Sequence, residues 1–100
     1  MASELTTLQI KEESDQFKCY PNPFAGETTI DIQNSTETEV TVAIYNLMGQ
    51  RIKNIFKGIN KGQLILKWNG TNDSGRQVVP GVYLCKVNNQ TKMVLFEEVK

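Results

Sequence analysis

The sequence predicts an all-β protein, an antiparallel sandwich of about seven short strands. From residue 17 onward apolar and polar residues alternate with a period of two, and the alternating stretches are rich in Val, Ile and aromatic residues. Stretches rich in Asn, Gly and Ser separate them, as expected for strands joined by turns. The spacing of roughly ten residues per strand is typical of a sandwich of two packed sheets. No stretch shows a sustained helical period.

Six alternating stretches define the predicted strands: "TTIDI", "TEVTVAIYN", "RIKNIFK", "QLILKW", "GVYLCKV" and "TKMVLF". Turns are predicted between them, including one at "NST" and one at "KGINKG". Within each strand, alternate side chains are predicted to share a face. The four sets are Thr28, Ile30 and Ile32; Val40, Val42 and Ile44; Ile52, Asn54 and Phe56; and Leu64, Leu66 and Trp68. Ile55 is predicted to lie on the face opposite that of Ile52 and Phe56.

The stretch "YPNPF" places two prolines just before the first well-defined strand. Proline fixes φ and lacks an N–H donor, so it cannot lie inside a central sheet ladder. Pro21 and Pro23 are therefore predicted to lie at an edge or a corner of the β domain, where they end the preceding linker.

The chain of 100 residues is long enough for one domain with a modest core. Residues 1–16 are polar and aperiodic and are predicted to form a linker, with a short strand at Leu8 to Ile10 as an option. Its opening residues Met1-Ala2-Ser3 resemble the start of a cloned fragment. Residues 17–100 are predicted to form the domain.

The charge balance argues against two classes of partner. Eleven basic residues offset eleven acidic ones, so neither nucleic acid nor an anionic membrane surface is expected as a partner. No apolar stretch approaches the ~20 residues of a membrane-spanning helix, so direct membrane insertion is not expected either. We expect the domain to be monomeric.

The residues that carry catalysis and metal binding are poorly represented. The sequence contains no histidine, which removes the usual base beside a Ser or Cys nucleophile, and we predict no enzymatic activity and no cofactor. The loop "NGTNDSG", Asn69 to Gly75, clusters oxygen ligands, but an EF-hand would need Gly at Ser74 and Glu at Pro80. We therefore predict turn-forming side chains there and no metal site.

Two cysteines, Cys19 and Cys85, lie far apart in the sequence. A disulfide between them would stabilise the fold by roughly 4 kcal/mol in the chain-entropy model. The alternative to a disulfide is that both cysteines are buried free thiols, which act as small apolar side chains. The sequence leaves both possibilities open.

One local pattern is similar to immunoglobulin domains. Tyr83 precedes Cys85 by two residues, which is the arrangement of the tyrosine corner. Trp68, however, lies too far after Cys19 for an antibody-type domain. The pattern favours a sandwich that is immunoglobulin-like in outline only.

Four motifs occur in a fixed order: "YPNPFAGETTIDI", "VAIYNLMGQRI", "WNGTNDSGRQVVPGVYLCKV" and "TKMVLF". Together they resemble the C-terminal sorting domain (type A) of proteins exported by the type IX secretion system, from Phe17 to about Phe96. The immunoglobulin-like domain of flagellar hook-capping proteins is similar in the middle motifs. The resemblance implies an immunoglobulin-like sandwich, and the ending shortly after "TKMVLF" suits a C-terminal signal. The motif residues to which we assign structural roles are Tyr20, Pro21, Asn22, Pro23, Gly49, Trp68, Gly70 and Gly75.

The resemblance implies a function in protein export. Outer-membrane components of the secretion machinery would read the domain, and a sortase-like peptidase would then cut the linker between Ser3 and Phe17. An N-terminally fused cargo protein would thus reach the cell surface or the medium of a Gram-negative bacterium. We expect the recognition element in the final hairpin, because an edge strand offers unpaired N–H and C=O groups to a receptor. Its candidate residues are Gly81, Val82, Tyr83, Lys92, Met93, Val94 and Leu95.

Two other functions remain open. A structural, hook-cap-like spacer would need the same turn and core residues and no receptor. A carbohydrate-binding module would need a line of exposed aromatic side chains, for which the candidates are Tyr20, Phe24, Tyr45 and Phe56.

Overall fold

The structure, a computed structural model, describes residues 17–98. The predicted linker of residues 1–16 lies outside the described residues, as do Val99 and Lys100. Within residues 17–98 there are five strands: β1 (Phe17–Tyr20), β2 (Thr28–Tyr45), β3 (Arg51–Trp68), β4 (Gly81–Val87) and β5 (Gln90–Phe96). All paired strands run antiparallel, which confirms the predicted all-β class.

Strand β2 organises the sheet. One of its edges pairs with β3 along nearly the whole strand. Its other edge pairs with β1 at residues 29–32 and with β4 at residues 42–45. β5 continues the sheet beyond β4, and a bridge from Phe24 to Phe96 joins the outer side of β5 to the segment after β1. The antiparallel sheet therefore curls around a core and returns to its own first strand.

The described residues form five strands where about seven were predicted, because β2 and β3 each continue through a predicted turn. The stretches "NST" and "KGINKG" lie opposite each other in one ribbon, with Asn34 paired to Gly62 and Thr38 to Asn60. Between these pairs β2 has more residues than β3, so the ladder is interrupted by a bulge rather than by a reversal of the chain. Gly62 has a φ of 88°, which glycine adopts without strain.

The core lies inside the curled sheet and joins both halves of β2. As the alternation predicts, β2 buries Thr28, Ile30 and Ile32 at its start and Val40, Val42 and Ile44 near its end. The buried apolar side chains are those of Phe17, Phe24, Ile30, Ile32, Val40, Val42, Ala43, Ile44, Trp68, Tyr83, Cys85, Val87, Val94 and Phe96.

Strand β3 departs from its predicted alternation at two bulges, which leave Ile55 and Ile52 without a partner residue in β2. The pairing steps from Val42–Phe56 to Ala43–Asn54 and leaves Ile55 in a bulge. Ile52, Ile55 and Phe56 all pack against the core, so the prediction that Ile55 faces away from Ile52 and Phe56 is wrong. A bulge shifts the alternation of strand faces by one residue, and a prediction based on strict alternation cannot detect such a shift.

Among the described residues, no helix has the length and apolarity needed to cross a membrane.

Candidate recognition surface

The segment of residues 20–24, "YPNPF", follows β1 and lies along the outer edge of β5. Asn22 contacts β5 as a strand would: its Nδ2 donates to the Met93 carbonyl (2.8 Å), and its Oδ1 accepts from the Leu95 N–H (2.9 Å). The Phe24 N–H donates to the Leu95 carbonyl (2.9 Å), and the Glu97 N–H donates to the Phe24 carbonyl (2.7 Å). We call residues 20–24 the edge-covering segment.

The edge-covering segment is anchored at both of its ends. The ring of Phe24 is 2% exposed and stacks on Phe96 with ring centroids 5.1 Å apart. The hydroxyl of Thr28, the first residue of β2, donates to the Pro21 carbonyl (2.9 Å). Pro21 and Pro23, each preceded by a cis peptide bond, lie outside the sheet ladder as predicted.

This arrangement corrects one expectation about the final hairpin. We expected β5 to offer an open edge to a receptor, but its edge groups at Met93, Leu95 and Glu97 are bonded to Asn22 and Phe24. The contacts join residues more than 70 positions apart, and one of them uses a side-chain amide in place of backbone. A receptor would therefore have to read the side chains of the hairpin, or displace the edge-covering segment first.

Replacing Asn22 by alanine tests the edge-covering segment. We expect the free energy of unfolding to fall by about 1–2 kcal/mol, because two hydrogen bonds are lost at a partly solvated site. Hydrogen exchange at the Leu95 amide should accelerate, since its acceptor is removed. The matched control is Asn89→Ala in the exposed turn between β4 and β5, where little change in Leu95 exchange is expected. Unchanged Leu95 exchange in Asn22→Ala would contradict the assignment.

The outer face of the β4–β5 hairpin carries an apolar patch. Val82 lies opposite Leu95, and Leu84 lies opposite Met93. Met93 is 65% exposed and Val82 is 37% exposed, while Leu84 and Leu95 are half-buried. These four residues are called the outer patch. Because they point away from the core, their apolar character is not required by core packing.

A shallow cavity of about 240 Å³ adjoins the outer patch. Leu84 lines it together with Tyr45, Gly49, Lys86 and Thr91. The Lys86 ammonium lies 6.0 Å from the centre of the Tyr45 ring and supplies a positive charge at the rim of the cavity. The patch and the cavity together present an apolar surface with a cationic border.

The seven predicted recognition residues divide into accessible and buried groups. Val82, Lys92 and Met93 are exposed, and Leu95 is half-buried. Tyr83 and Val94 belong to the core and are inaccessible to a partner, while Gly81 begins β4. The alternation of strand faces produces this division.

Tyr83 has a structural role in the tyrosine-corner arrangement. Its hydroxyl donates to the carbonyl of Val79, four residues upstream. Burial raises the pKa of the Tyr83 phenol, which keeps it protonated and able to donate this bond. Its ring also packs edge-on against Trp68, with centroids 5.4 Å apart.

The remaining motif residues lie in the core, in turns and at the sheet edge. The Tyr20 hydroxyl contacts Asp31 Oδ2 (3.4 Å), and Trp68 is buried at the centre of the aromatic core. Gly49, Gly70 and Gly75 all have positive φ, at 86°, 78° and 84°. They lie in the connections that follow β2 and β3, where the chain must take the left-handed conformation.

Two asparagines that we did not single out build these connections in the same way. Asn46 Oδ1 accepts the N–H groups of Met48 (3.0 Å) and Gln50 (2.9 Å). Asn72 Oδ1 likewise accepts those of Ser74 and Arg76, both at 3.0 Å. In each turn the glycine three residues after the asparagine donates to the asparagine carbonyl. The repeated spacing Asn-x-x-Gly was the available signal in the sequence.

The loop from Asn69 to Gly75 uses its oxygen atoms within the protein. Asp73 Oδ1 accepts the Asn54 N–H (2.9 Å), the Asp73 N–H donates to the Ile52 carbonyl (3.0 Å), and Asn69 Oδ1 accepts the Thr71 hydroxyl (2.6 Å). The loop thus covers part of the free edge of β3. Within the described part of the chain, no three His, Cys, Asp or Glu side chains lie close enough together to hold a metal ion.

The aromatic residues do not form the line that a carbohydrate-binding face would need. Of the four candidates, Tyr20 is exposed, Tyr45 and Phe56 are half-buried, and Phe24 is buried in the core. Phe24, one of the candidates for such a line, packs between Phe96 and Trp68.

The curled antiparallel sheet, with its buried tryptophan and its tyrosine-corner bond, defines an immunoglobulin-like domain. The family model described as the FlgD Ig-like domain matches residues 14–92. The chain therefore belongs to the FlgD Ig-like domain family. No curated protein matches the chain.

A solved structure with a similar fold is the crystal structure of dimeric latent PorU from Porphyromonas gingivalis. The TM-score is 0.59 and the sequence identity is 22%. The match covers 81% of this chain but 8% of the PorU chain, so this chain corresponds to a small part of that protein. At this identity the similarity establishes the fold alone.

Proposed function

We propose that this domain is a sorting signal that directs a fused cargo protein across the outer membrane through the type IX secretion machinery. The observation that carries the proposal is the outer patch. Most residues of the four ordered motifs have a structural role in the core, the turns or the edge-covering segment. Val82 and Met93 belong to the same motifs, yet they are exposed.

The outer patch is suited to a partner that reads side chains. Its apolar residues come from two neighbouring strands and lie beside the cavity bordered by Lys86. Burial of such a patch against a receptor would supply binding energy without opening the sheet. The proposed partners are an outer-membrane component of the export machinery and, after export, a sortase-like peptidase acting on the linker. The proposed location is the cell surface or the medium.

A second candidate function is a structural spacer. Membership of the FlgD Ig-like domain family favours it, because an immunoglobulin-like fold needs no receptor to serve as a spacer. The two functions differ in one respect that can be measured: a sorting signal acts on any cargo fused to it, whereas a spacer does not.

The test is a fluorescent protein that carries an N-terminal signal peptide and residues 1–100 at its C-terminus, expressed in a bacterium with this secretion system. We expect fluorescence in the medium or at the cell surface, and retention in the periplasm when the domain is omitted. A fusion ending at Thr91 would be a poor control, since it lacks Val94 and Phe96 of the core and should not fold. Retention of the complete, folded fusion would contradict the sorting function and favour the spacer.

A further inference from the structure

The two cysteines, far apart in the sequence, meet in the fold. Cys19 lies on β1 opposite Ile30, and Cys85 lies on β4 opposite Ile44. The curl of the sheet brings these strands together, so that Cys19 packs against the core cluster to which Cys85 belongs. The two thiols lie near enough to each other to shift each other's pKa. Both thiols are free in this structure; Cys85 is buried and Cys19 is half-buried.

A lysine lies beside this pair. Lys92 on β5 is the residue opposite Cys85, and its ammonium lies 5.6 Å from the centre of the Phe17 ring on β1. The positive charge therefore lies over the strand that carries Cys19. Four groups from three strands, two thiols, an ammonium and an aromatic ring, thus form one cluster at the seam between β1 and β5.

The surroundings of the two thiols shift their pKa values in opposite directions. Hydrogen bonding of the Cys19 thiolate by Cys85, together with the nearby charge of Lys92, lowers the pKa of the Cys19 thiol even though burial opposes the shift. The same hydrogen bond, together with burial, raises the pKa of Cys85. Cys19, the more accessible thiol, is also the one whose thiolate is favoured, and this combination is typical of an attacking cysteine.

We propose that Cys19 and Cys85 form a dithiol–disulfide site, which is oxidised by exchange with a small or protein disulfide. In the first step the Cys19 thiolate attacks one sulfur of the oxidant, whose S–S bond breaks to form a mixed disulfide and release one thiol. In the second step Cys85 loses its proton and attacks the Cys19 sulfur, which releases the second thiol. The protein gives up two electrons and two protons, and the oxidant becomes two thiols.

The bridge would tie β1 to the β4–β5 hairpin. It would covalently close the seam that Lys92 and the edge-covering segment close by non-covalent contacts. Because it joins residues distant in sequence, it should restrict the unfolded chain strongly. This proposal does not rest on the sorting function, since it concerns the chemistry of the folded domain alone.

The test is to incubate the fully reduced 100-residue protein with oxidised glutathione at neutral pH, and to follow free thiols and intact mass. We expect a monomer with no free thiol, a mass lower by two hydrogen atoms, and a Tm raised on the order of 10 °C, reversed by reductant. A stable glutathione adduct, a covalent dimer, or oxidation that requires denaturant would each overturn the proposal.

Variants separate the roles of the two thiols. Cys85→Ser should stop at a glutathione adduct on Cys19, whereas Cys19→Ser should leave Cys85 unreactive in the folded state. Lys92→Gln should slow the first step, and its matched control Lys18→Gln, an exposed position beside Cys19 in the sequence, should not. Equal rates for the two lysine variants would contradict the role of Lys92. Both lysines are exposed, so this comparison stands even if a cysteine variant is unstable.

Discussion

Replacing Trp68 by alanine is expected to lower the free energy of unfolding by about 3–5 kcal/mol. The indole is 1% exposed, and its ring lies 5.4–6.1 Å from the ring centres of Phe24, Tyr83 and Phe96. Its Nε1 donates to the Thr71 carbonyl (2.8 Å), so the side chain also holds the loop after β3. Truncation would leave a cavity between the edge-covering segment and the end of β5.

Urea denaturation followed by circular dichroism measures this effect. Trp68→Phe is the appropriate control, because it retains an aromatic ring and loses the hydrogen bond to Thr71; its cost should be clearly smaller. The loss expected for Trp68→Ala is a large share of the ~5–15 kcal/mol that stabilises a typical domain. A Trp68→Ala protein within ~0.5 kcal/mol of the parent, as for a surface substitution, would show that this core assignment is wrong.

Replacing Gly70 by alanine is expected to lower the free energy of unfolding by about 2–5 kcal/mol, the sum of a backbone cost and a steric cost. Its φ of 78° costs an L-residue roughly 1–2 kcal/mol. The added Cβ would also lie 2.6 Å from Cζ of Phe96, a buried ring that cannot move without disturbing its stack on Phe24, and such overpacking costs about 1–3 kcal/mol.

Gly75 provides a closely matched control for Gly70. Its φ of 84° is nearly the same, but a Cβ there would meet nothing within 4 Å. Gly75→Ala should therefore show the backbone cost alone, about 1–2 kcal/mol, by the same denaturation experiment. Equal destabilisation of the two variants would mean that the contact with Phe96 carries no energy.

The sequence predicted the faces of the strands better than their number. Alternation placed Ile30 and Val42 correctly because each strand keeps one face on a single core. It could not show that β2 and β3 continue through "NST" and "KGINKG", because residues that favour turns also suit a bulge in a long ribbon. The bulge at Ile55 could not be predicted for a related reason. Whether a strand contains a bulge depends on how it pairs with its neighbour, and the sequence of one strand does not show this.

The sequence led us to propose a recognition site in the final hairpin, but the geometry of that hairpin could not be predicted from it. The motifs pointed to the final hairpin, and alternation alone would assign Val82 and Met93 to the face opposite Tyr83. The contacts of Asn22 with β5 could not be foreseen, because they join the two ends of the domain and no local pattern encodes them. Whether Cys19 and Cys85 meet also depends on the curl of the whole sheet.

The most direct test of the sorting signal is export of the fluorescent fusion after the outer patch is made polar. The variant is Val82→Thr with Met93→Thr, since threonine keeps strand propensity while removing apolar surface. The control is Ile59→Thr with Ile65→Thr, two exposed isoleucines of β3. If the outer patch is the signal, the first variant stays in the periplasm with the parent's Tm, and the control is exported. Export of the first variant at the parent's level would contradict this account.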